Sequence, residues 1–177
     1  MKSLKVVNVH QRLLHASPER VGALIDALGS PADALWPKAW PRMKFDRPLA
    51  VGAIGGHGPI RYFVEAYTPG QSVRFRLTAP AGFEGWHGFE VLDATPAHCV
   101  LEHRIEMQAR GRALLSWPLV IGPLHDVCVE DVLSQAQLAL GIAPRQVHWP
   151  VRVRLLRWLM SGGKRLAPPF ARSQHAR

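Results

Sequence analysis

The feature that most constrains this chain is a change of period near residue 49. From there to residue 110, apolar and polar side chains alternate in four runs, 59–67 (PIRYFVEAY), 72–79 (SVRFRLTA), 84–93 (EGWHGFEVLD) and 98–109 (HCVLEHRIEMQA). Alternation at period two is the mark of a half-buried strand. The connectors carry Thr68-Pro69-Gly70, Pro80-Ala81-Gly82 and Ala94-Thr95-Pro96, which are turn residues. Connections this short join antiparallel neighbours, because a parallel pair needs a crossover of a dozen residues or more. The stretch 49–56 (LAVGAIGG) reads as a further edge strand, weakened by its glycines.

Helical signals flank the meander. Residues 4–15 (LKVVNVHQRLLH) read as a first strand, and Ser17-Pro18-Glu19 then opens a helix with a good N-cap, a pre-shaped first position and an acid at the positive end. Val21, Leu24, Ile25 and Leu28 keep helical spacing up to Gly29, and a second short helix is expected from Ala32 to Trp36 after Ser30-Pro31. Residues 37–48 hold three prolines and no period, and read as a loop. Beyond Arg112 the pattern is helical again. Pro118 and Pro123 restrict its first turns, and an amphipathic helix runs from about 123 to Leu140, where Gly141 ends it. The class is α+β. At 177 residues and 47% hydrophobic the chain suits one domain with a sizeable core, and 20% charged residues are too few for a disordered segment.

The net charge of +9 is distributed unevenly. Arg145, Arg152, Arg154, Arg157, Lys164, Arg165, Arg172 and Arg177 lie in the stretch 144–177, which contains no acid. The body 1–143 is therefore nearly neutral and carries no footprint for phosphate, so nucleic acid is not an expected partner. Within the tail, 148–161 reads as a basic amphipathic helix. Arg152, Arg154, Arg157 and Trp158 are the residues that would meet an anionic membrane, against the alternative of a helix packed on its own domain with a solvated tail from Gly162-Gly163 onward. Two cysteines, Cys99 and Cys128, exclude a disulfide scaffold and read as small core residues. The longest uncharged apolar stretch, Ala113–Leu124, is too short to cross a bilayer, and the N-terminus lacks a secretory core. The expected location is the cytoplasm, with peripheral membrane attachment through the tail as the variant.

The faces of the strands locate the chemistry. Val73, Phe75, Leu77 and Ala79 share one side of 72–79; Cys99, Leu101, His103, Ile105 and Met107 share one side of 98–109. His87 sits with Phe89 and Val91 on 84–93. On the last helix Ile121, His125, Cys128, Val132, Ala136 and Ala139 fall on one stripe, with Asp126, Glu130, Ser134 and Gln137 opposite. Three histidines thus point from three elements toward one apolar interior. An unpaired buried polar group costs about 1–3 kcal/mol, so a hollow holding a polar ligand group accounts for them better than a solid core. Each is alternatively a core histidine bonded to backbone or water. A three-histidine metal site lacks any close-spaced pair such as H-x-x-x-H, and no metal or other cofactor is expected. Trp36, Trp40, Phe45 and Trp117 either line an entrance or fill the junction of helices and sheet.

In its order of elements, roughly residues 4–141, the chain resembles the START-like (SRPBCC) superfamily with the helix-grip fold. Ala16-Ser17-Pro18-Glu19-Arg20-Val21 is similar to the family's first-helix opening, and Pro123-Leu124-His125-Asp126 with Val129-Glu130-Asp131 is similar to the last helix of polyketide-cyclase-like members. The resemblance implies a curved antiparallel sheet wrapped round a long C-terminal helix, two short helices after strand 1, and a hydrophobic cavity between sheet and long helix. It implies binding of a lipid, polyketide, quinone or aromatic molecule there. It carries no shared catalytic motif.

The expected organisation is a ligand-binding domain at 1–143 and a basic tail at 144–177. The expected ligand contacts are Phe75, Leu77, His87, Phe89, Leu101, His103, Ile105, Ile121, His125, Cys128 and Val132. Whether a reaction follows binding stays open. A cyclase or dehydratase type of lyase would use His103, His87, His125 or Tyr62 as acid and base.

Overall fold

A computed structural model of the chain describes residues 2–164, 168 and 169. Seven antiparallel strands, β1 (Ser3–Leu14), β2 (Lys44–Phe45), β3 (Ile54–His57), β4 (Ile60–Thr68), β5 (Ser72–Ala79), β6 (Phe83–Leu92) and β7 (Cys99–Arg110), form one sheet in the order β1-β7-β6-β5-β4-β3-β2. The four alternating runs are β4 to β7 within a residue or two of the expected ends. Helix α1 (Pro18–Asp26) follows β1. After β7, α2 (Ala113–Ser116), a π-helical turn (Trp117–Ile121) and α3 (Gly122–Ala139) form one long helix, and α4 (Val151–Met160) lies beyond it. This is the helix-grip fold.

Helix α1 docks on the β4–β5 turn through a close approach. A Cβ on Gly22 would stand 2.0 Å from the Gly70 carbonyl oxygen, and the Asp26 carboxylate accepts hydrogen bonds from the Gly70 N–H (2.9 Å) and the Tyr67 hydroxyl (2.8 Å). Gly22→Ala is therefore expected to cost about 1–3 kcal/mol, read by urea denaturation.

Three local expectations change. Residues 30–36 form turns, not a second helix, because the Asp33 carboxylate takes the backbone N–H groups of Gly29, Leu35 and Trp36 (2.8–3.0 Å). Such side-chain bonds compete directly with helical ones. The loop 37–48 contains β2, whose two residues are too few to show a period. The strand expected at 49–56 begins only at Ile54, where the backbone N–H bonds to the Asp46 carboxylate, and it is not an edge strand, since β2 pairs outside it.

The long helix also starts earlier than the prolines suggest. Pro123 has no N–H for the Leu119 carbonyl, and the chain widens by one residue, with the Gly122 N–H reaching Trp117 O. Arg152 Nη2 donates to the Pro118 (3.0 Å) and Leu119 carbonyl oxygens left open by this turn.

The polar side of α3 is partly covered by the sheet. Asn8, His10 and Arg12, from the inward side of β1, meet it: Asn8 Nδ2 donates to Asp126 (2.9 Å), His10 Nδ1 pairs with Glu130 (2.8 Å), and Arg12 bonds Gln137 (2.6 Å) and Glu130 (2.8 Å). The helix thus spends its apolar stripe on the core and its polar stripe on β1. Ser134, expected on the wet side, is fully buried and donates to Arg145 O (2.9 Å).

The described part of the stretch beyond 143 packs on the body of the chain. Trp149 and Val153 are buried, and Asp131 on α3 accepts hydrogen bonds from Trp40 Nε1 (2.7 Å) and Trp149 Nε1 (3.0 Å). The Arg157 guanidinium lies 4.3 Å from the centre of the Trp40 ring and donates to Ala39 O. Arg157, expected at a membrane, therefore turns inward to a carbonyl and the indoles, whereas Arg152, Arg154 and Trp158 are exposed. Arg165, Arg172 and Arg177 lie outside the described residues. No helix among the described residues is long and apolar enough to cross a membrane.

Candidate functional site

The core is solid at the α1 end and hollow at the other. Under α1, Leu14, Val21, Ile25, Phe75, Leu101, Val132 and Leu133 pack together with at most 2% exposure. Beneath the first turns of α3 lies a cavity of about 110 Å³. Its walls come from the β3–β4 hairpin (His57, Ile60), the sheet (Leu77, His87, Phe89, His103, Ile105, Met107) and the long helix (Trp117, Ile121, Leu124, His125, Cys128). Trp36, Trp40 and Pro41 from the loop, with Arg157 and Met160 of α4, complete it.

Eight of the eleven expected contacts line this cavity: Leu77, His87, Phe89, His103, Ile105, Ile121, His125 and Cys128. Phe75, Leu101 and Val132 do not. They occupy the inward faces as expected, but further along their elements, where the sheet closes on α1. Val132 follows His125 by two helical turns, about 10 Å along the axis. Periodicity assigns a face and says nothing of position along it. Trp36, Trp40 and Trp117 line the cavity, Trp40 and Trp117 being also packed in buried clusters, while Phe45 stacks on Phe75 in the core at 5.8 Å. Cys99 is a core residue in contact with Ala16 O.

The histidines form a row. In the sheet register His10 lies opposite His103 and Phe89 opposite His103, so one side of β7 brings an imidazole between two strands. His87 Nδ1 and His103 Nε2 are 3.4 Å apart. The ring centres of His103 and His125 are 5.1 Å apart, those of His57 and His87 6.4 Å, and those of His10 and His125 6.1 Å. Tyr62 does not reach the cavity. It is fully buried behind His57, whose Nδ1 lies 3.0 Å from the phenol oxygen. His57 and His10 are the members missed in the sequence. His57 sits in a glycine-rich hairpin too short for parity, but His10 shares the even-numbered side of β1 with Val6 and Leu14, and that alternation was a readable signal.

Burial sets the charges. Desolvation, with neighbouring imidazoles adding to it, holds His87 and His103 well below the usual imidazole range. Burial pushes His57 down to about 4 and lowers His125 against the pull of Asp126. The same cause raises the Tyr62 phenol and the Cys128 thiol far above neutrality, so neither is a ready nucleophile. His10 differs. Its hydrogen bonds to Asp126 and Glu130 raise it to about 9, making it an imidazolium at neutral pH. Burial pulls Asp126 upward, but hydrogen bonds from His10 and Asn8, with the His125 ring 3.6 Å away, outweigh it and leave a firm carboxylate.

Two neutral imidazoles in contact share one proton. Whichever ring donates, the pair leaves one N–H and one lone pair at its far ends. His87 Nε2, His103 Nδ1 and both ring nitrogens of His125 are buried with no hydrogen-bond partner among the described residues. The cavity wall is thus almost wholly apolar, and the His87–His103 pair within it holds one donor and one acceptor without partners among the described residues.

The arrangement defines a protein with a helix-grip fold and a histidine-lined cavity. No family model matches the chain, and no curated protein matches its sequence. Solved structures do. Norcoclaurine synthase from Thalictrum flavum superposes with a TM-score of 0.60 at 16% identity, over 80% of this chain and 98% of that one. The same enzyme in complex with dopamine and hydroxybenzaldehyde gives 0.59 at 14% identity, over 81% and 91%. A protein from Thermobifida fusca gives 0.58 at 12% identity, over 80% and 99%.

Proposed function

We propose that the protein binds a small, mostly apolar molecule carrying one hydrogen-bonding group in this cavity. The reading rests on one observation: unpaired, neutral imidazole nitrogens of His87, His103 and His125 on an otherwise apolar wall. Leaving each unpaired costs about 1–3 kcal/mol, and a hydroxyl or carbonyl of a ligand relieves that cost. Size narrows the class. An engineered cavity of about 150 Å³ admits benzene, so a space of about 110 Å³ suits a single ring or a short chain entering past the tryptophans, not a sterol. Monocyclic aromatics and quinones fit best. Support also comes from the complex of norcoclaurine synthase, whose two ligands are single-ring aromatics held by the same fold.

The test is calorimetric titration of the full chain with hydroxylated single-ring aromatics and their hydrocarbon counterparts, alongside native mass spectrometry for any co-purified molecule. His103→Leu is expected to weaken the hydroxylated ligand about tenfold or more, one lost hydrogen bond, and to spare the hydrocarbon. Equal binding of the hydroxylated ligand to both proteins removes histidine recognition from the proposal.

A second reading is favoured by the His87–His103 contact. Because the pair offers a donor and an acceptor together, it suits proton transfer between two positions of a bound substrate, as a cyclase or dehydratase requires. Turnover lost in both His87→Leu and His103→Leu, with binding retained, supports it. Binding without turnover across the panel returns the protein to the first reading.

A further inference from the structure

We propose that His10, His125 and Asp126 form a binding site for one divalent transition-metal ion of the zinc class, beside the cavity. One donor atom from each residue lies within 4.8 Å of the other two. His10 Nε2 and Asp126 Oδ1 are 3.4 Å apart, and His125 Nδ1 and the same oxygen 3.6 Å. Ligand atoms bound tetrahedrally at about 2.0–2.1 Å from zinc stand about 3.4 Å from one another. The two measured edges already have the length that an ion imposes.

The surroundings are those of a supported site. A histidine that binds a metal through one ring nitrogen usually gives the other N–H to a carboxylate, which fixes the ring and raises its basicity. His10 does this: its Nδ1 lies 2.8 Å from Glu130 Oε1, and Glu130 is held in turn by Arg12 at 2.8 Å. Asn8 Nδ2 donates to Asp126 at 2.9 Å and orients that carboxylate. His125 has no hydrogen-bond partner at either ring nitrogen among the described residues, although both atoms are buried. An ion at this point takes the place of the proton between His10 Nε2 and Asp126 and gives His125 Nδ1 a partner. Two imidazoles and one carboxylate leave a fourth position free, the pattern of zinc sites that act on a ligand. His125 also lines the cavity, so an ion here would stand one imidazole ring from a molecule bound there.

No spacing motif announces the triad. His10 lies on β1, 116 residues before Asp126, and the other two ligands are sequence neighbours at the start of α3. Only the pairing of β1 with β7 and the packing of α3 across it bring them together.

The role of the open position rests on the cavity-binding reading, but metal uptake does not, and it is measured without any organic ligand. The full chain, stripped with a chelator, is titrated with Co²⁺ and with Zn²⁺ alone, following the visible absorption of four-coordinate cobalt and the heat of zinc binding. One equivalent is expected to bind. Asp126→Asn, which keeps the shape and the Asn8 contact, and His125→Gln are each expected to weaken it by more than about 100-fold. Glu130→Gln is expected to weaken it by about 10–100-fold, and His87→Leu to leave it within about threefold. Variants are compared only where circular dichroism shows the native spectrum. Absence of stoichiometric uptake by the parent chain, or unchanged affinity in both Asp126→Asn and His125→Gln, overturns the proposal.

Discussion

A chain ended at Ala143 is expected to lose more than about 5 kcal/mol of stability, enough to unfold a domain of ordinary stability. The removed segment contains Trp149 and Val153, both buried against α3 and the 37–43 loop. Replacing one buried tryptophan with alanine alone costs about 3–5 kcal/mol. Truncation also strips the Trp149 partner from Asp131, the Arg145 carbonyl from Ser134 and the Arg152 side chain from the carbonyls of the π-helical turn. It removes Arg157 and Met160 from the cavity wall as well. The measurement is urea denaturation with tryptophan fluorescence and near-ultraviolet circular dichroism. A 1–143 fragment unfolding cooperatively within about 1 kcal/mol of the full chain makes the packing of α4 energetically irrelevant.

Asp131→Ala is expected to cost about 2–5 kcal/mol, because it leaves the buried indole N–H groups of Trp40 and Trp149 without an acceptor. Asp131→Asn keeps an acceptor and is the informative partner. Burial raises the Asp131 carboxyl to about 6, even though the two indoles and Arg157 pull it down. Its folded value lies above the ordinary 3.8, so folding favours the protonated form. That contribution is complete below about pH 4 and is lost as pH rises through about 6. The stability of Asp131→Asn relative to the parent chain is therefore expected to climb between pH 4 and 6 and level off above. A difference that stays flat across this interval shows that the carboxyl does not titrate there.

The meander was legible because strands β4 to β7 each bury one side and wet the other, so alternation and turn residues survive in the sequence. The histidines at 87, 103 and 125 were legible as intruders on apolar faces. What failed did so for identifiable reasons. The stripe of Asp126 and Glu130 looks like a solvated face, since a helix that packs on two surfaces of different polarity has the same pattern as one that packs on a single surface and meets water. Arg157 looks like an outward-facing charge, because a run of cations reveals nothing of the carbonyl and indole rings that one of them meets.

Which side of each strand turns inward, where turns fall and where helices begin are local matters, set by side-chain alternation, proline, glycine and capping residues within a few positions of one another. Those were decided before the chain closed. The hollow at one end of the core, the row of five imidazoles and the inward turn of α4 depend on contacts between different elements, as far apart as the 118 positions between Ala39 and Arg157. They arise from the register of β1 on β7 and from the shape complementarity of Trp40, Trp149 and Arg157 around Asp131, and no short stretch of sequence contains either.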